Sequence, residues 1–180
     1  MANIRCHSFS TGWGFFGYAS REGQLLATYL PQSQRALLVR MEHDFPDAEQ
    51  SEDGLDLLEQ DVSRYFLGER VRFRVSIDVS NVPPFRRAVL EACRRIPYGQ
   101  TASYADLARD AGNARAVRAA GGAMAHNPLP LVIPCHRVLR SDGTIGGFSS
   151  PSGVEEKLRM LRLEGVVLSD GHRFDLRQAV

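Results

Sequence analysis

Two consecutive prolines, Pro83 and Pro84, interrupt the sequence just before its midpoint, and the hydrophobic pattern changes across them. Proline supplies no backbone donor, so the pair ends any ladder or helix that reaches it. Ahead of it, residues 3–9, 13–19 and 23–30 read as three short strands separated by Thr11-Gly12 and Arg21-Glu22-Gly23. The simplest arrangement is a hairpin-linked antiparallel sheet, with Pro31 closing the third strand. Ala36, Leu37, Val39 and Met41 predict a helix from Gln32 to about Asp44, stopped by Pro46. The acidic stretch Asp47 to Asp53 reads as a loop. Leu55, Leu57, Leu58, Val62, Tyr65 and Phe66 then predict an amphipathic helix ending near Gly68, and Arg70 to Val79 alternates as a further strand.

Beyond the prolines the period is helical. Phe85, Val89, Leu90, Ala92, Cys93 and Ile96 form one apolar stripe, with Arg86, Arg87, Arg94 and Arg95 on the remaining surface. Ser103-Tyr104-Ala105-Asp106 has capping-box spacing and opens a second helix to Ala111. Gly112-Asn113 turns the chain into a third helix from Ala114 to about Met124, the layout of a helix-turn-helix. That third helix is built of Ala114, Ala116, Ala119, Ala120, Gly121, Gly122 and Ala123, so it can approach either a neighbouring helix or a nucleic-acid groove closely. Arg115 and Arg118, three residues apart, would share one of its faces. A polar loop from Ser141 to Gly153, a helix from Val154 to Leu163, and a strand around Val166 to Leu168 complete the pattern. The expected class is α+β: a supporting domain over 1–81, a mostly helical domain over 82–168, and a tail over 169–180.

Charge follows the same division. Residues 1–81 hold 8 Arg/Lys against 12 Asp/Glu, 82–140 hold 9 against 3, and 141–180 hold 5 against 6, a net of −4, +6 and −1. A basic middle suits a polyanion or a solvated basic face. With 43% hydrophobic residues and no apolar run long enough to span a membrane, a folded soluble protein is expected. The start lacks the layout of a secretory signal, and the expected location is cytoplasmic. The three cysteines Cys6, Cys93 and Cys135 are odd in number and widely spaced, which argues against a disulfide framework or structural zinc; no metal is expected, at Cys6-His7 or elsewhere.

One stretch carries chemistry. Leu131, Val132 and Ile133 read as a buried segment, and Pro134 ends regular pairing just before Cys135. His136 and Arg137 both could favour thiolate over thiol, although a Cys-His pair alone also fits inert packing.

With these residues laid out, the second half resembles the O6-alkylguanine-DNA alkyltransferases. The matching residues are Ile96-Pro97-Tyr98-Gly99, Ser103-Tyr104, Arg118-Ala119, Gly121-Gly122-Ala123-Met124, Asn127-Pro128, Ile133-Pro134-Cys135-His136-Arg137-Val138, Gly146-Gly147-Phe148-Ser149 and Glu164-Gly165. The resemblance implies a ribonuclease H-like first domain, a winged-helix-like second one, and a suicide reaction in which Cys135 accepts an alkyl group from guanine, or from O4-alkylthymine. It implies that His136 deprotonates Cys135 through a water, that Glu164 orients the histidine, and that Asn127 ties the helix to the active-site loop. Arg118 would fill the gap left by the extruded nucleotide, with Arg115, Ala119 and Gly121 beside it on double-stranded DNA. Tyr104, Met124, Val138, Phe148 and Ser149 would form the base pocket. No cofactor is implied; the partner is the minor groove, read without sequence specificity, by a monomer that can assemble cooperatively on DNA. Where the family often reads Gly-Thr-Pro-Phe, this chain has Val82-Pro83-Pro84-Phe85, so that helix lacks a hydroxyl cap. A tyrosine is frequent at the position of Phe148. Two other readings remain: a lesion-binding protein without transfer, whose relatives lack the acceptor cysteine, and a Cys-His hydrolase with repeated turnover.

Overall fold

Alternating segments joined by tight turns make the first sheet: β1 (Arg5–Thr11), β2 (Gly14–Arg21) and β3 (Gln24–Gln32), each antiparallel to the next. The β2–β3 hairpin closes on Glu22 and Gly23, at φ of 51° and 75°, which is the requirement of a type I′ turn. This is a computed structural model, and it describes residues 3–51, 54–169 and 173–174.

Pro31 does not end β3 but lies inside it. The strand order β3-β2-β1-β4 puts β3 at an edge, where a missing donor need not break a ladder bond. Helix α1 (Gln34–Asp44) starts on Ser33, whose Oγ accepts from the Ala36 N–H at 3.4 Å. Its buried Leu37 and Met41 pack with Cys6, Ala19 and Tyr29. A Cβ at Gly17 would stand 2.7 Å from the Met41 sulfur and 2.9 Å from a Leu37 methyl, so the glycine lets the helix lie on the sheet. The expected acidic loop contributes β4 (Glu49–Gln50), parallel to β1. Helix α2 (Asp56–Phe66) buries Leu58, Val62, Tyr65 and Phe66, with Phe66 against Trp13 and Phe16. Leu57, expected on its apolar face, is 77% exposed.

The strand expected over Arg70–Val79 does not form; Ile77 alone makes a bridge, to Leu25. Alternation reports which side of a chain is buried, not whether a neighbour lies beside it. By contacts the chain divides into two units, Met1–Ser80 with Pro128–Val132, and Asn81–Asn127 with Ile133–Val180. Residues 128–132, expected in the second domain, therefore group with the first. Thr28 accounts for this, donating from its N–H to the Pro128 carbonyl at 3.0 Å and from Oγ1 to that of Pro130 at 2.7 Å.

In the second unit, α3 (Pro84–Arg94) starts without a side-chain cap and with Pro84 in its first turn, where the absent N–H costs nothing. Strand β5 (Ala102–Ser103) leads into α4 (Tyr104–Asp110), and the capping box is complete: Ser103 Oγ accepts from Asp106 N–H, and Asp106 accepts from Ser103 N–H. Helix α5 (Val117–Ala125) begins three residues later than expected. Asn113 Oδ1 accepts from the Arg115 N–H and holds residues 114–116 in a turn, so Arg115 lies outside the helix and does not share a helical face with Arg118. A 3-10 turn (Cys135–Arg137) feeds β6 (Val138–Leu139), parallel to β5. Helix α6 (Gly153–Leu163) follows. Strand β7 (Leu168–Ser169), near the one expected at 166–168, pairs with β8 (Arg173–Phe174), and the rest of the expected tail lies outside the described residues. The class is α+β.

Candidate active site

Pro134, at φ −80° and ψ 65°, makes an inverse γ-turn in which Cys135 N–H donates to the Ile133 carbonyl at 2.8 Å. The same carbonyl accepts from Asn127 Nδ2 at 2.8 Å, which ties the end of α5 to the start of the reactive turn. Cys135 is 7% exposed. Burial raises its thiol pKa; the Asn127 side-chain bond, the Lys157 ammonium and nearby backbone N–H groups oppose that without overcoming it. At neutral pH the resting group is a thiol, so a nucleophile requires a base.

His136 is fully buried, and its Nε2 lies 2.7 Å from Glu164 Oε1. Burial depresses the imidazole pKa more than Glu164 raises it, so the ring is neutral and Nε2–H donates to the carboxylate. The pair is therefore a hydrogen bond at rest rather than an ion pair. Glu164 is 5% exposed, and burial alone would raise its pKa; the opposing pull of His136 and Arg137 holds it well below the usual carboxylate range. Its Oε2 also accepts from Arg137 Nε at 2.9 Å and from Gly99 N–H at 3.0 Å, and its Oε1 accepts from Arg137 Nη2 at 3.0 Å.

Arg137 was expected to act on the thiol. Instead, its guanidinium is committed to Glu164, to the Ile96 carbonyl at 2.7 Å, and to the face of Tyr98 at 5.8 Å. Tyr98 donates to the Leu163 carbonyl at 3.0 Å. Gly99 sits at φ +78°, and a Cβ there would come within 3.0 Å of the Glu164 carbonyl. The Ile-Pro-Tyr-Gly run thus forms the floor on which the carboxylate rests.

Tyr104 opens α4. A Cβ at Gly146 (φ +66°) would lie 3.1 Å from its hydroxyl, and one at Gly121 would lie 4.0 Å from its ring, so the ring occupies the space between α5 and the 146 loop. Burial, then Cys135, raises the phenol pKa and keeps it a donor. Met124 and Val138 are buried, Phe148 is half-buried and Ser149 is exposed. The face of α5 turned to solvent carries Val117, Arg118, Ala119 and Gly122, with Gly121 half-buried beside it: low relief and one cation.

Lys157, the single lysine, is a residue that the motifs above do not include. It is fully buried, donating to the Val138 carbonyl at 2.6 Å and to that of Gly147 at 3.5 Å, with the Phe148 ring centroid 6.0 Å away. Burial pushes its pKa down to about 8, with Cys135 and then Cys93 pulling it back up. The signal was available in its spacing, since Lys157, Met160 and Leu161 fall on one stripe of α6. Among the described residues no group of three or more His, Cys, Asp or Glu could hold a metal ion, and no helix is long and apolar enough to cross a membrane. A thiol, a neutral imidazole and a carboxylate that orients it are the residue types from which a cysteine nucleophile is activated by proton transfer to a histidine.

Residues 84–166 match the family model for the 6-O-methylguanine DNA methyltransferase DNA binding domain. A methylated-DNA–protein-cysteine methyltransferase of Methanothermobacter thermautotrophicus is 46% identical over 110 residues, 60% of this chain and 60% of that one. One from Archaeoglobus fulgidus is 44% identical over 109 residues, 58% of this chain and 71% of that one. The chain thus spans about three fifths of the first relative's length. The crystal structure of the Mycobacterium tuberculosis protein in complex with DNA superposes with a TM-score of 0.75 at 28% identity, covering 89% of this chain and 92% of that one.

Proposed function

The chain belongs to the methylated-DNA–protein-cysteine methyltransferase family, and on that premise we propose that it repairs O6-alkylguanine in duplex DNA by moving the alkyl group irreversibly to Cys135. The observation that supports this reading is a buried Cys135 thiol followed in the chain by a buried, neutral His136 whose ring is oriented by Glu164, itself held by Arg137 and Gly99. Because Nε2 of His136 is given to Glu164, Nδ1 takes the thiol proton, relayed through a water. The thiolate attacks the alkyl carbon, a carbon–sulfur bond forms as the carbon–oxygen bond breaks, and the guanine takes up the electron pair and a proton. The thioether has no group set to cleave it, so each molecule acts once, and methyl is the preferred group, with O4-alkylthymine a second substrate.

The target carbon is stacked inside a duplex, and extruding its nucleotide costs a few kcal/mol. The low-relief face of α5 suits the minor groove without reading sequence, Arg118 fills the vacated position, and Ala119, Gly121 and the preceding Arg115 lie along the backbone. Tyr104 donates to the extruded base in a pocket lined by Met124, Val138, Phe148 and Ser149. The protein works as a cytoplasmic monomer, with cooperative assembly along DNA, and residues 1–81 support the reactive domain. Incubation with a duplex containing O6-methylguanine, followed by intact-mass and peptide analysis, tests the reading. One methyl per protein on Cys135, and none in Cys135→Ala, is expected; turnover beyond one, or labelling elsewhere, would sink it.

A further inference from the structure

We propose that the segment Arg70 to Arg74 is a phosphate-contacting surface of the first unit, an arginine ladder that takes the backbone of duplex DNA. The inference rests on the reading that duplex DNA is the partner, and not on alkyl transfer. Three observations in the first unit carry it.

The first is register. Val71 is buried and Phe73 and Val75 are half-buried, while Arg70, Arg72 and Arg74 are exposed. Phe73 packs 6.2 Å from the Tyr65 ring. This alternation is that of an extended chain whose apolar side is anchored and whose cationic side faces water. Extended chain rises about 3.3 Å per residue, so the arginines recur about every 6.6 Å. A regular row of charges at that interval matches a linear polyanion better than it matches the scattered carboxylates of a protein.

The second is neutralisation. Elsewhere in this unit Arg21 pairs with Asp78, Arg40 with Asp44, and Arg64 with Asp61 and Glu69, while Arg5 and Arg35 make no ion pair among the described residues but stand singly rather than in a row. Among the described residues, neither Arg72 nor Arg74 has a carboxylate within 4.0 Å. The third is contrast. The ladder lies in the stretch 1–81, which carries a net charge of −4, so it is a local concentration against the prevailing sign rather than part of a generally basic surface. Guanidinium is also the cation best matched to phosphate oxygens, through its planar fork.

The test is the salt dependence of binding by the full-length protein to a fluorescently labelled undamaged duplex. Each phosphate contact contributes about 0.9 to the slope of log K against log salt. Arg72→Gln/Arg74→Gln should therefore bind more weakly at low salt with a slope shallower by about 1.8. Over a fourfold rise in salt it should lose about tenfold less affinity than the wild type. The control Arg5→Gln/Arg35→Gln changes the net charge equally at exposed sites of the same unit and should keep the wild-type slope. An unchanged slope in the ladder variant, or an equal change in the control, overturns the proposal. Failure of the wild type to bind the duplex at all overturns the DNA reading itself and the ladder with it.

Discussion

Replacing Glu164 by glutamine tests the site at its most connected atom pair. The carboxylate accepts four hydrogen bonds, from His136 Nε2, Arg137 Nε, Arg137 Nη2 and Gly99 N–H. Glutamine is nearly isosteric but offers one acceptor oxygen and an amide that donates. If its oxygen faces His136, its NH2 meets Arg137 Nε–H and Gly99 N–H, which also donate. Arg137, only 6% exposed, then keeps its charge without a counter-charge. Breaking one side of a buried, hydrogen-bonded ion pair costs about 3–5 kcal/mol, and for a chain of this size that corresponds to a Tm loss of roughly 6–20 °C. Urea denaturation followed by far-ultraviolet circular dichroism measures this. The sign with pH follows from the depressed carboxylate: its contribution is complete above the unfolded value of about 4.3 and is lost as pH falls toward the lower folded value. The difference between wild type and Glu164→Gln should therefore shrink below about pH 4. A second variant, Glu164→Gln/Arg137→Met, removes the stranded cation and should recover part of the stability without recovering methyl transfer. A loss under about 1 kcal/mol in the single variant, or no pH dependence of the difference, would refute the claim that this carboxylate holds the reactive turn together.

Lys157→Met removes the ammonium that favours the Cys135 thiolate, so the rise of single-turnover rate with pH should move to higher pH; superimposable profiles would count against that role. A buried lysine whose pKa is pushed down to about 8 disfavours the folded state throughout the range below 8, and this penalty fades as pH rises from 8 past the unfolded value of about 10.4. The wild type should accordingly gain stability relative to Lys157→Met between those limits in a pH series of melts. Gly99→Ala forces a side chain into a left-handed conformation against the Glu164 carbonyl, and a stability loss of about 1–3 kcal/mol with slower transfer is expected in denaturation and single-turnover assays. Ser103→Ala deletes half of the α4 capping box and should cost about 0.5–2 kcal/mol in the same denaturation assay, the range for a lost N-cap.

The order of elements was legible because it depends on local chemistry. Hydrophobic period, prolines and the Ser103–Asp106 box located the three hairpin strands and the helices. Cys135 and His136 could be picked out by residue type, since a thiol next to an imidazole is recognisable in a sequence, whereas Glu164 was marked only by the resemblance to the family. What sequence did not determine is pairing across distance. Whether Arg70–Val79 finds a neighbouring strand, whether Pro31 sits on an edge, and whether residues 128–132 group with Thr28 depend on which backbone groups are left over once the sheet has formed. Nor could it say where two buried cations point. Arg137 could favour the thiolate by its charge alone, yet the fold makes it the clamp on Glu164, while Lys157, which no motif in the sequence singles out, is buried with its ammonium on the Val138 carbonyl. The identity of a side chain is local, but its counter-charge is chosen by packing, because a buried ion must take whichever acceptors the fold brings within reach.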